Sequence, residues 1–488
     1  MLQEITNLGL SPEIQKSDIA ESNEILENIL VRINGSTSDE AILIIAHYDT
    51  EKGTPGAGDN GSGTAIVLEI LNGLSRIDSI KNDIIVLFSD GEELGMLGAK
   101  AFVNEHPWMS DVRIAINFDT ITIGPAFMWQ TSPENGWLVR QYIDAVSQPM
   151  ANSWLYSLSR LLPLDTDLSP FIESGVSGYN FSTSYLYPEI QTPQDTIEIV
   201  NSSSIKHAGI QGEMLIRNLV NMDLSQTQDQ DRIFFNLWGA IMIHYPESWA
   251  IPLALVSTFL FAVWVGLGIH KHILNYREIL KGFSIFILTL FSVILLAVLL
   301  WLIGFLIKPA AFAAWIYDPR HSQNDWLFFI SLLILIFGST GLIYQSMLKQ
   351  TTFPNLITGI FFFWLLIIYI CSFSLSGVSY LFVWPLIAVL FSSAFLFNEK
   401  EIVAFKSFIK PIWAILFLVP MLVWIPFLLL FFMVTGMGAF PIFVFFMCMF
   451  SGIMLPFYFQ PENAKNKTYT VNTVLLGLIV FIIGISIS

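Results

Sequence analysis

Cysteine is nearly absent from this sequence, and charge is scarce. The 488 residues include two cysteines, Cys371 and Cys448, and both lie in apolar runs. Residues 1–247 therefore contain no disulfide bond, which excludes the disulfide-rich class of small secreted domains. Only 13% of the residues are charged and 54% are hydrophobic, which is more apolar material than a soluble protein needs.

The charges that are present divide the chain in two. Residues 1–247 hold 33 acidic and 12 basic residues, a net charge of −21; residues 248–488 hold 6 and 11, a net charge of +5, and the two add to the −16 of the whole chain. Because so acidic a first half repels phosphate, we expect no nucleic-acid partner. The second half is dominated by apolar runs of about 20 residues, the length at which a helix crosses a bilayer.

The apolar half predicts about eight transmembrane helices, and hence a multi-pass integral membrane protein in contact with the lipid bilayer. They lie at roughly 248–269, 282–307, 326–346, 354–375, 378–397, 411–435, 438–458 and 469–488. No acidic or basic residue lies in the middle of a run, which favours an anchor over a transporter or lipid-handling protein, the competing interpretation. Residues 1–225 then form one polar domain, 226–247 an aromatic interfacial connector, and 248–488 the membrane domain.

Loop charge predicts how this protein is oriented. If the polar domain lies outside the cytoplasm, nine basic residues fall in cytoplasmic loops: Lys271, Arg277, Lys281, Lys349, Lys400, Lys406, Lys410, Lys465 and Lys467. Only Lys308 and Arg320 then fall in the outer loops. Since positive charge collects on the cytoplasmic side, we expect an extracytoplasmic domain, whether periplasmic, extracellular or lumenal. No apolar leader precedes it, so we expect a truncated N-terminus that lacks a leading span.

The polar half alternates apolar runs with helical stretches. Residues 29–33, 41–46, 83–88 and 112–118 predict strands, and residues 62–74, 92–105, 134–147 and 202–220 predict helices. This alternation is typical of an α/β fold, a mainly parallel sheet sandwiched by helices, here followed by an all-α multi-spanning membrane domain. Ligands of such sheets bind beyond the carboxyl ends of the strands.

A histidine or a carboxylate follows each of the central predicted strands. The segments are His47-Tyr-Asp49, Gly58-Asp59-Asn60-Gly-Ser62-Gly63 at the start of a helix, Asp90-Gly-Glu92-Glu93-Leu-Gly95 and Asn117-Phe-Asp119. Singly, each has a plainer explanation as a helix cap or a surface ion pair. Imidazole and carboxylate groups at one edge of a sheet, however, form a zinc-type ligand set. The order of the four segments therefore favours a metal site.

Together these segments resemble the motifs of the co-catalytic zinc aminopeptidase family, over about residues 20–220. The fusion to many spans is similar to the vacuolar and endoplasmic-reticulum membrane metallopeptidases and their bacterial relatives. The resemblance implies a membrane-anchored zinc metallopeptidase that hydrolyses peptide bonds, acting on its peptide substrate as an aminopeptidase. The family also contains carboxypeptidase-like and cyclase-like members, and the sequence leaves the choice between these chemistries open, as it does the oligomeric state.

The resemblance also implies metal ligands. His47 and Asp119 would bind one zinc ion, Asp59 would bridge two, through a cis peptide to Asn60, and Glu93 would bind the second. Two metals a few ångströms apart are the arrangement of co-catalytic sites.

The remaining roles concern catalysis. Glu92 would be the general base that deprotonates a metal-held water, and Asp49 would orient His47. Asp167, in the segment from Thr166 to Gly175, matches a family loop near the substrate.

One ligand departs from the family pattern. The family's last ligand is the histidine of a Tyr-His-Thr-Pro-x-Asp-Thr segment, and here the segment Ile190-Gln191-Thr192-Pro193-Gln194-Asp195-Thr196 places Gln191 at that position. An amide oxygen is a poorer zinc ligand than imidazole. Three outcomes stay open: one firmly bound zinc, a second zinc held weakly, or a catalytically impaired domain that serves for binding or as a scaffold.

Overall fold

The computed structural model describes residues 1–18, 25–36, 40–77, 79–162, 164–183, 189–309, 312, 325–393, 406–458 and 468–487. The chain forms two compact units, Met1–Glu247 and Ser248–Ser488. Some predicted features lie outside the described residues: the loop residues Arg320, Lys400, Lys465 and Lys467, and the ends of two predicted spans at 394–397 and 488.

A seven-stranded mixed sheet is the centre of the first unit. In spatial order its strands are β1 (Glu13–Asp18), β2 (Ile25–Ile33), β4 (Asp83–Ser89), β3 (Ala41–His47), β5 (Val112–Phe118), β7 (Ser177–Thr183) and β6 (Ala126–Thr131). The four strands β4, β3, β5 and β7 run parallel, whereas the pairings β1–β2, β2–β4 and β7–β6 are antiparallel. The predicted α/β fold with a parallel centre is confirmed, and the antiparallel edges make the sheet mixed.

Helices cover both faces of this sheet. They are α1 (Leu2–Asn7), α2 (Ser62–Leu74), α3 (Leu97–Glu105), α4 (Gly136–Ala145), α5 (Ser153–Ser159), α6 (Ser169–Glu173) and α7 (Ser202–Leu219). Neighbouring residues of a strand point to opposite faces. Accordingly, Ile44 of β3 belongs to the core cluster that contains residues of α2, α4 and α7, and Leu43 belongs to the cluster of α3 and α6. Burial on both faces explains why β3 is an unbroken apolar run.

The stretch predicted as an interfacial connector, residues 226–247, lies within the first unit and contains a hairpin of β8 (Arg232–Leu237) and β9 (Ile241–Pro246). Phe234 and Phe235 are buried, and the backbone N–H of Asn236 donates to Asn152 Oδ1 at 3.1 Å. The hairpin is therefore packed onto the polar domain, and its location at a membrane interface stays a prediction.

The second unit is helical. Its helices are α8 (Ala250–His270), α9 (Tyr276–Ile307), α10 (Asp325–Met347), α11 (Phe353–Ser374), α12 (Tyr380–Ser393), α13 (Lys406–Thr435), α14 (Phe440–Tyr458) and α15 (Thr468–Ile487). Within the described ranges, six of them are long and apolar enough to cross a membrane: α8, α9, α10, α11, α13 and α14. The two other predicted spans correspond to shorter apolar helices, Tyr380–Ser393 and Val471–Ile483.

Side-chain hydrogen bonds join the helices of this unit. Trp264 Nε1 of α8 donates to Thr358 Oγ1 of α11 at 3.0 Å, and Trp424 Nε1 of α13 donates to the carbonyl oxygen of Leu381 in α12 at 2.6 Å. Polar groups need such internal partners in an apolar solvent, where water does not compete for them.

Candidate functional site

Three buried side chains from three different segments converge at the carboxyl edge of the sheet. His47 ends β3, Asp119 directly follows β5, and Asp59 lies in the loop that precedes α2. His47 Nε2 is 3.2 Å from Asp59 Oδ1 and 3.6 Å from Asp119 Oδ1. One metal-binding atom from each residue lies within 4.8 Å of the other two, so this trio is a candidate metal centre.

Asp49 sets the orientation of the imidazole. His47 Nδ1 lies 3.1 Å from the carbonyl oxygen of Asp49 and 3.5 Å from its Oδ1, which makes Nδ1 the donor and leaves Nε2 facing Asp59 and Asp119. Burial would lower the pKa of His47, but hydrogen bonds to Asp119, Asp49 and Asp59 raise it well above the usual value. A nitrogen lone pair opposite two carboxylates is repelled unless a positive charge lies between them, so the trio is built to hold a proton or a metal cation.

The carboxylate of Asp49 also fixes the loop after β4. Its Oδ1 accepts a hydrogen bond from the backbone N–H of Glu92 at 3.0 Å, and its Oδ2 accepts one from that of Glu93 at 3.1 Å. These bonds hold both glutamates beside the trio. They also explain an error of the sequence prediction: the helix expected from Glu92 begins at Leu97, because the preceding residues form a turn bound to Asp49.

Both glutamates lie in acidic surroundings. Burial, together with the negative charge of Asp119, raises the pKa of Glu92 to about 9. Burial and the charge of Asp59 raise the pKa of Glu93 to about 7. Carboxyl groups crowded in this way favour the uptake of positive charge, either as protons or as a cation.

Asp195 holds the loop that carries Asp59. Its buried carboxylate accepts hydrogen bonds from the backbone N–H groups of Gly58 at 2.6 Å and Asp59 at 3.1 Å, and its carbonyl oxygen accepts one from Ala57 at 3.1 Å. The peptide bond between Asp59 and Asn60 is cis. Sequence reasoning gave Asp195 no role. The available signal was its position in the same short segment as Gln191.

Asn60 is a second residue whose side chain sequence reasoning left without a role. Its Nδ2 donates to the carbonyl oxygen of Phe118 at 2.8 Å, and its Oδ1 accepts from the N–H groups of Gly63 at 3.0 Å and Thr120 at 3.2 Å. Asn60 thereby ties the start of α2 to the end of β5, on either side of Asp119. Its side chain is completely buried, so these bonds form away from water.

The residue at the family's histidine position contacts a glutamate. Gln191 Nε2 donates to Glu93 Oε2 at 3.2 Å. The other oxygen, Glu93 Oε1, is buried and has no hydrogen-bond partner among the described residues. Glu93 and Gln191 thus form a pair of their own beside the trio of His47, Asp59 and Asp119.

A cavity of about 310 Å³ opens next to the trio. Its lining combines site residues with apolar and small polar side chains: Asp59, Asp119, Thr120, Trp129, Gln130, Ser159, Leu164, Asp165, Thr166, Asn180, Ser182, Thr183, Ile190 and Gln191. No Lys, Arg or His occurs in this lining among the described residues. The cavity is therefore a suitable place for a small neutral or cationic group.

Asp167 directly follows two residues that line this cavity. It is fully buried, Ser89 Oγ donates to its Oδ2, and burial raises the pKa of its carboxyl to about 7. The preceding residues Asp165 and Thr166 line the cavity, whereas Asp167 is not part of the lining. A contact between Asp167 and substrate stays a prediction.

The residues of the trio fit a zinc-type cation. One imidazole nitrogen and two carboxylate oxygens are donors that zinc accepts, and three protein ligands leave a position for water or substrate, as in catalytic zinc sites. The hydrogen bond at Nδ1 of His47 is the usual support of a metal-binding histidine.

Comparisons with known proteins point in the same direction. Residues 28–214 match the model of Peptidase family M28. The chain is 27% identical to Endoplasmic reticulum metallopeptidase 1 of Mus musculus over 300 residues, 57% of this chain and 33% of that protein. It is 26% identical to the Vacuolar membrane protease of Yarrowia lipolytica (strain CLIB 122 / E 150) over 246 residues, 49% of this chain and 24% of that protein. The chain thus spans a third or less of the length of these two relatives.

A zinc aminopeptidase from Bacillus subtilis is a similar solved structure. It shares 21% sequence identity, covers 43% of this chain and 53% of its own, and superimposes with a TM-score of 0.34.

Proposed function

Residues 28–214 match the model of peptidase family M28, and from this premise we propose that the chain belongs to that family and is a membrane-anchored zinc metallopeptidase that acts as an aminopeptidase on peptides. The observation that carries the proposal is the convergence of His47, Asp59 and Asp119 within 4.8 Å, beside Glu92. The names of two similar proteins, Endoplasmic reticulum metallopeptidase 1 and Vacuolar membrane protease, support the same class of enzyme. Among the described residues, six helices long enough to cross a bilayer support the membrane anchor.

His47, Asp59 and Asp119 would hold the zinc ion. A bound zinc ion polarises the scissile carbonyl and makes a water molecule more acidic. Asp49 serves this set in two ways, because it contacts His47 Nδ1 and also binds the backbone of both glutamates. One carboxylate therefore holds the ligand and the catalytic loop in a fixed relation.

Glu92 is proposed as the general base. Its carboxylate takes a proton from the attacking water and returns it to the leaving amine. Burial and the neighbouring Asp119 raise the pKa of Glu92 and so strengthen its affinity for a proton, and a cation held by the trio would offset this shift and keep the carboxylate ionised. The neutral amide of glutamine cannot do this, which makes Glu92→Gln the appropriate variant.

The charge of the cavity supports an aminopeptidase rather than a carboxypeptidase. The terminal carboxylate of a peptide would meet Asp59, Asp119 and Asp165, and no Lys, Arg or His among the described lining residues. A free terminal ammonium group would meet carboxylates instead. Coulomb attraction in a partly buried cavity therefore favours substrates that enter with the amino end.

The polar domain is proposed to lie outside the cytoplasm. Lys271, Arg277 and Lys281 follow or begin the first two helices of the membrane unit, and Lys349 follows the third. Positive charge in alternate loops supports this orientation. Cysteines introduced into the cysteine-free residues 1–247 should react with a membrane-impermeant thiol reagent that is added on the side of the membrane away from the cytoplasm. If they react with this reagent only after the membrane is permeabilised, the proposed orientation is wrong.

The catalytic proposal is tested with the full chain in detergent. Glu92→Gln should lower kcat for aminoacyl amides by about 10² to 10⁴ and leave the zinc content unchanged. The matched control is Glu51→Gln, an exposed acidic residue on the loop after β3, which should keep full activity. Equal rates for wild type and Glu92→Gln would remove Glu92 from the mechanism.

One observation favours a second candidate, a catalytically impaired domain that only binds peptides. Gln191 stands where the family has a histidine, and its amide is bound to Glu93. This candidate predicts that peptides bind at saturating zinc but that no hydrolysis follows. Measured turnover that depends on Glu92 would exclude it.

A further inference from the structure

The two carboxylate oxygens of Glu93 have different surroundings. Its Oε2 accepts a hydrogen bond from Gln191 Nε2, whereas its Oε1 is buried with no donor among the described residues. An unsatisfied buried carboxylate oxygen is costly and marks a place where a donor or a cation belongs. Two kinds of ligand satisfy it: a second metal ion or the ammonium group of a substrate.

The donors around Glu93 are poor for a second zinc ion. Gln191 offers a neutral amide, whose nitrogen cannot ligate a metal and whose oxygen is a poorer zinc ligand than the imidazole of the family. Asp59 already lies 3.2 Å from His47 Nε2, on the side of the first metal. Two carboxylates without imidazole or thiolate fall short of the ligand sets that hold zinc in proteins.

A turn fixes the backbone of Gln191. Gln191 adopts a left-handed conformation with φ of 57°, inside a turn closed by hydrogen bonds from Thr192 N and Oγ1 to the carbonyl oxygen of Glu189, at 3.2 and 2.6 Å. The turn fixes the backbone of Gln191 within reach of Glu93, and from there the exposed side chain can present either its amide nitrogen or its amide oxygen.

The site suits an ammonium group better. An ammonium group has three N–H donors and needs acceptors placed close together. Glu93 Oε1 is one such acceptor, the amide oxygen of Gln191 can turn to supply a second, and Gln191 lines the same cavity as Asp59 and Asp119. The described lining carries no cationic side chain that would compete.

We propose that this is a one-metal site, in which Glu93 and Gln191 receive the free α-ammonium group of the substrate instead of holding a second zinc ion. The proposal rests on the proposed aminopeptidase function, which it makes specific: the trio of His47, Asp59 and Asp119 binds the metal, and the pair selects an unblocked N-terminus. Peptides with an acetylated N-terminus should be rejected, because an amide nitrogen offers one donor and no charge.

The first test is the zinc content of the purified full chain. Wild type should contain one zinc per chain after dialysis against micromolar zinc, and Gln191→His should contain two, because imidazole supplies the missing donor. Gln194→His is the matched control: Gln194 lies three residues away in the same loop and is exposed, so its zinc content should stay at one. Two zinc ions in wild type, or no gain in Gln191→His, would overturn the one-metal proposal.

The second test needs no turnover. Calorimetric titration of the zinc-loaded chain should show tighter binding of leucinol, a free amine without an amide bond to hydrolyse, than of N-acetyl-leucinol. In Glu93→Gln this preference should fall about tenfold or more while one zinc is retained, because a charge-assisted hydrogen bond is lost. Glu69→Gln, at an exposed position in α2, is the control and should keep the preference. Loss of zinc in Glu93→Gln would show that Glu93 is a metal ligand and refute the proposal.

These readouts separate the two proposals. One zinc per chain and a Glu93-dependent preference for the free amine, without any hydrolysis, would refute the peptidase function and support the ammonium site. Hydrolysis of aminoacyl amides with two bound zinc ions would support the peptidase function and refute the ammonium site.

Discussion

Replacing Asp195 by asparagine should loosen the loop that presents Asp59. In the wild type the two carboxylate oxygens accept the N–H groups of Gly58 and Asp59, and the side chain is fully buried. Asparagine keeps one acceptor and turns an NH₂ group towards the other N–H. One charge-assisted hydrogen bond, worth about 1.5–3 kcal/mol, is lost, and a buried donor is left unsatisfied. We expect a cost of about 2–4 kcal/mol to the closed loop.

Zinc affinity is the quantity that this change should affect most. If the cost falls on the loop, the dissociation constant for zinc rises by about 30-fold to 700-fold, since each 1.4 kcal/mol corresponds to a factor of ten. Competition with a chromophoric chelator measures it. The control is Asp223→Asn, because Asp223 also accepts a backbone N–H, that of Ser225, but is fully exposed. Zinc affinity within twofold of wild type in Asp195→Asn would refute the reasoning.

Two further predictions concern stability. In Gly63→Ala the new methyl carbon would lie 2.3 Å from Asn60 Oδ1 and 2.4 Å from the carbonyl oxygen of Phe118, so we expect the free energy of unfolding to fall by about 2–3 kcal/mol. Gly209→Ala, in α7 with no atom within 4 Å, should raise it by about 0.5–1 kcal/mol; denaturant unfolding compares the two, and equal effects would contradict the packing. Burial lowers the pKa of His207 below its unfolded value, so the unfolded chain binds more protons and stability is lost as pH falls below about 6.5. His207→Gln should reduce the loss between pH 7.5 and 5, and an unchanged loss would show that His207 does not contribute.

Strands that consist almost entirely of apolar residues can be predicted from the sequence. β3 and β4 are apolar throughout most of their length, and all their residues are buried, so hydrophobicity alone locates them. β7 cannot be predicted in this way, because its buried positions carry both polar and apolar residues. Its sequence is Ser-Gly-Tyr-Asn-Phe-Ser-Thr. Its Asn180 accepts a hydrogen bond from Asn117 Nδ2 at 3.0 Å, and this pairing exists only once β5 and β7 are neighbours.

Some contacts of the candidate site can likewise be predicted from the sequence, and others cannot. His47 and Asp119 can be predicted to lie near each other because each stands at the end of a parallel strand, and adjacent parallel strands end at one edge. The contact of Asp195 with Gly58 and Asp59 joins segments more than 130 residues apart and involves backbone N–H groups, which no side-chain pattern reports. Long-range bonds to the backbone are therefore the part of the site that needs a structure.

The bond between Trp424 and the carbonyl oxygen of Leu381 has a consequence for the membrane unit. Pro385 lies four residues after Leu381 in α12 and has no N–H, so the helix itself cannot satisfy that carbonyl. The indole of α13 supplies the missing donor at 2.6 Å. Shifting either helix by a single residue, about 1.5 Å along its axis, would break the bond and leave this buried carbonyl oxygen without a donor. The proline of α12 and the tryptophan of α13 thereby fix the positions of the two helices relative to each other along their axes.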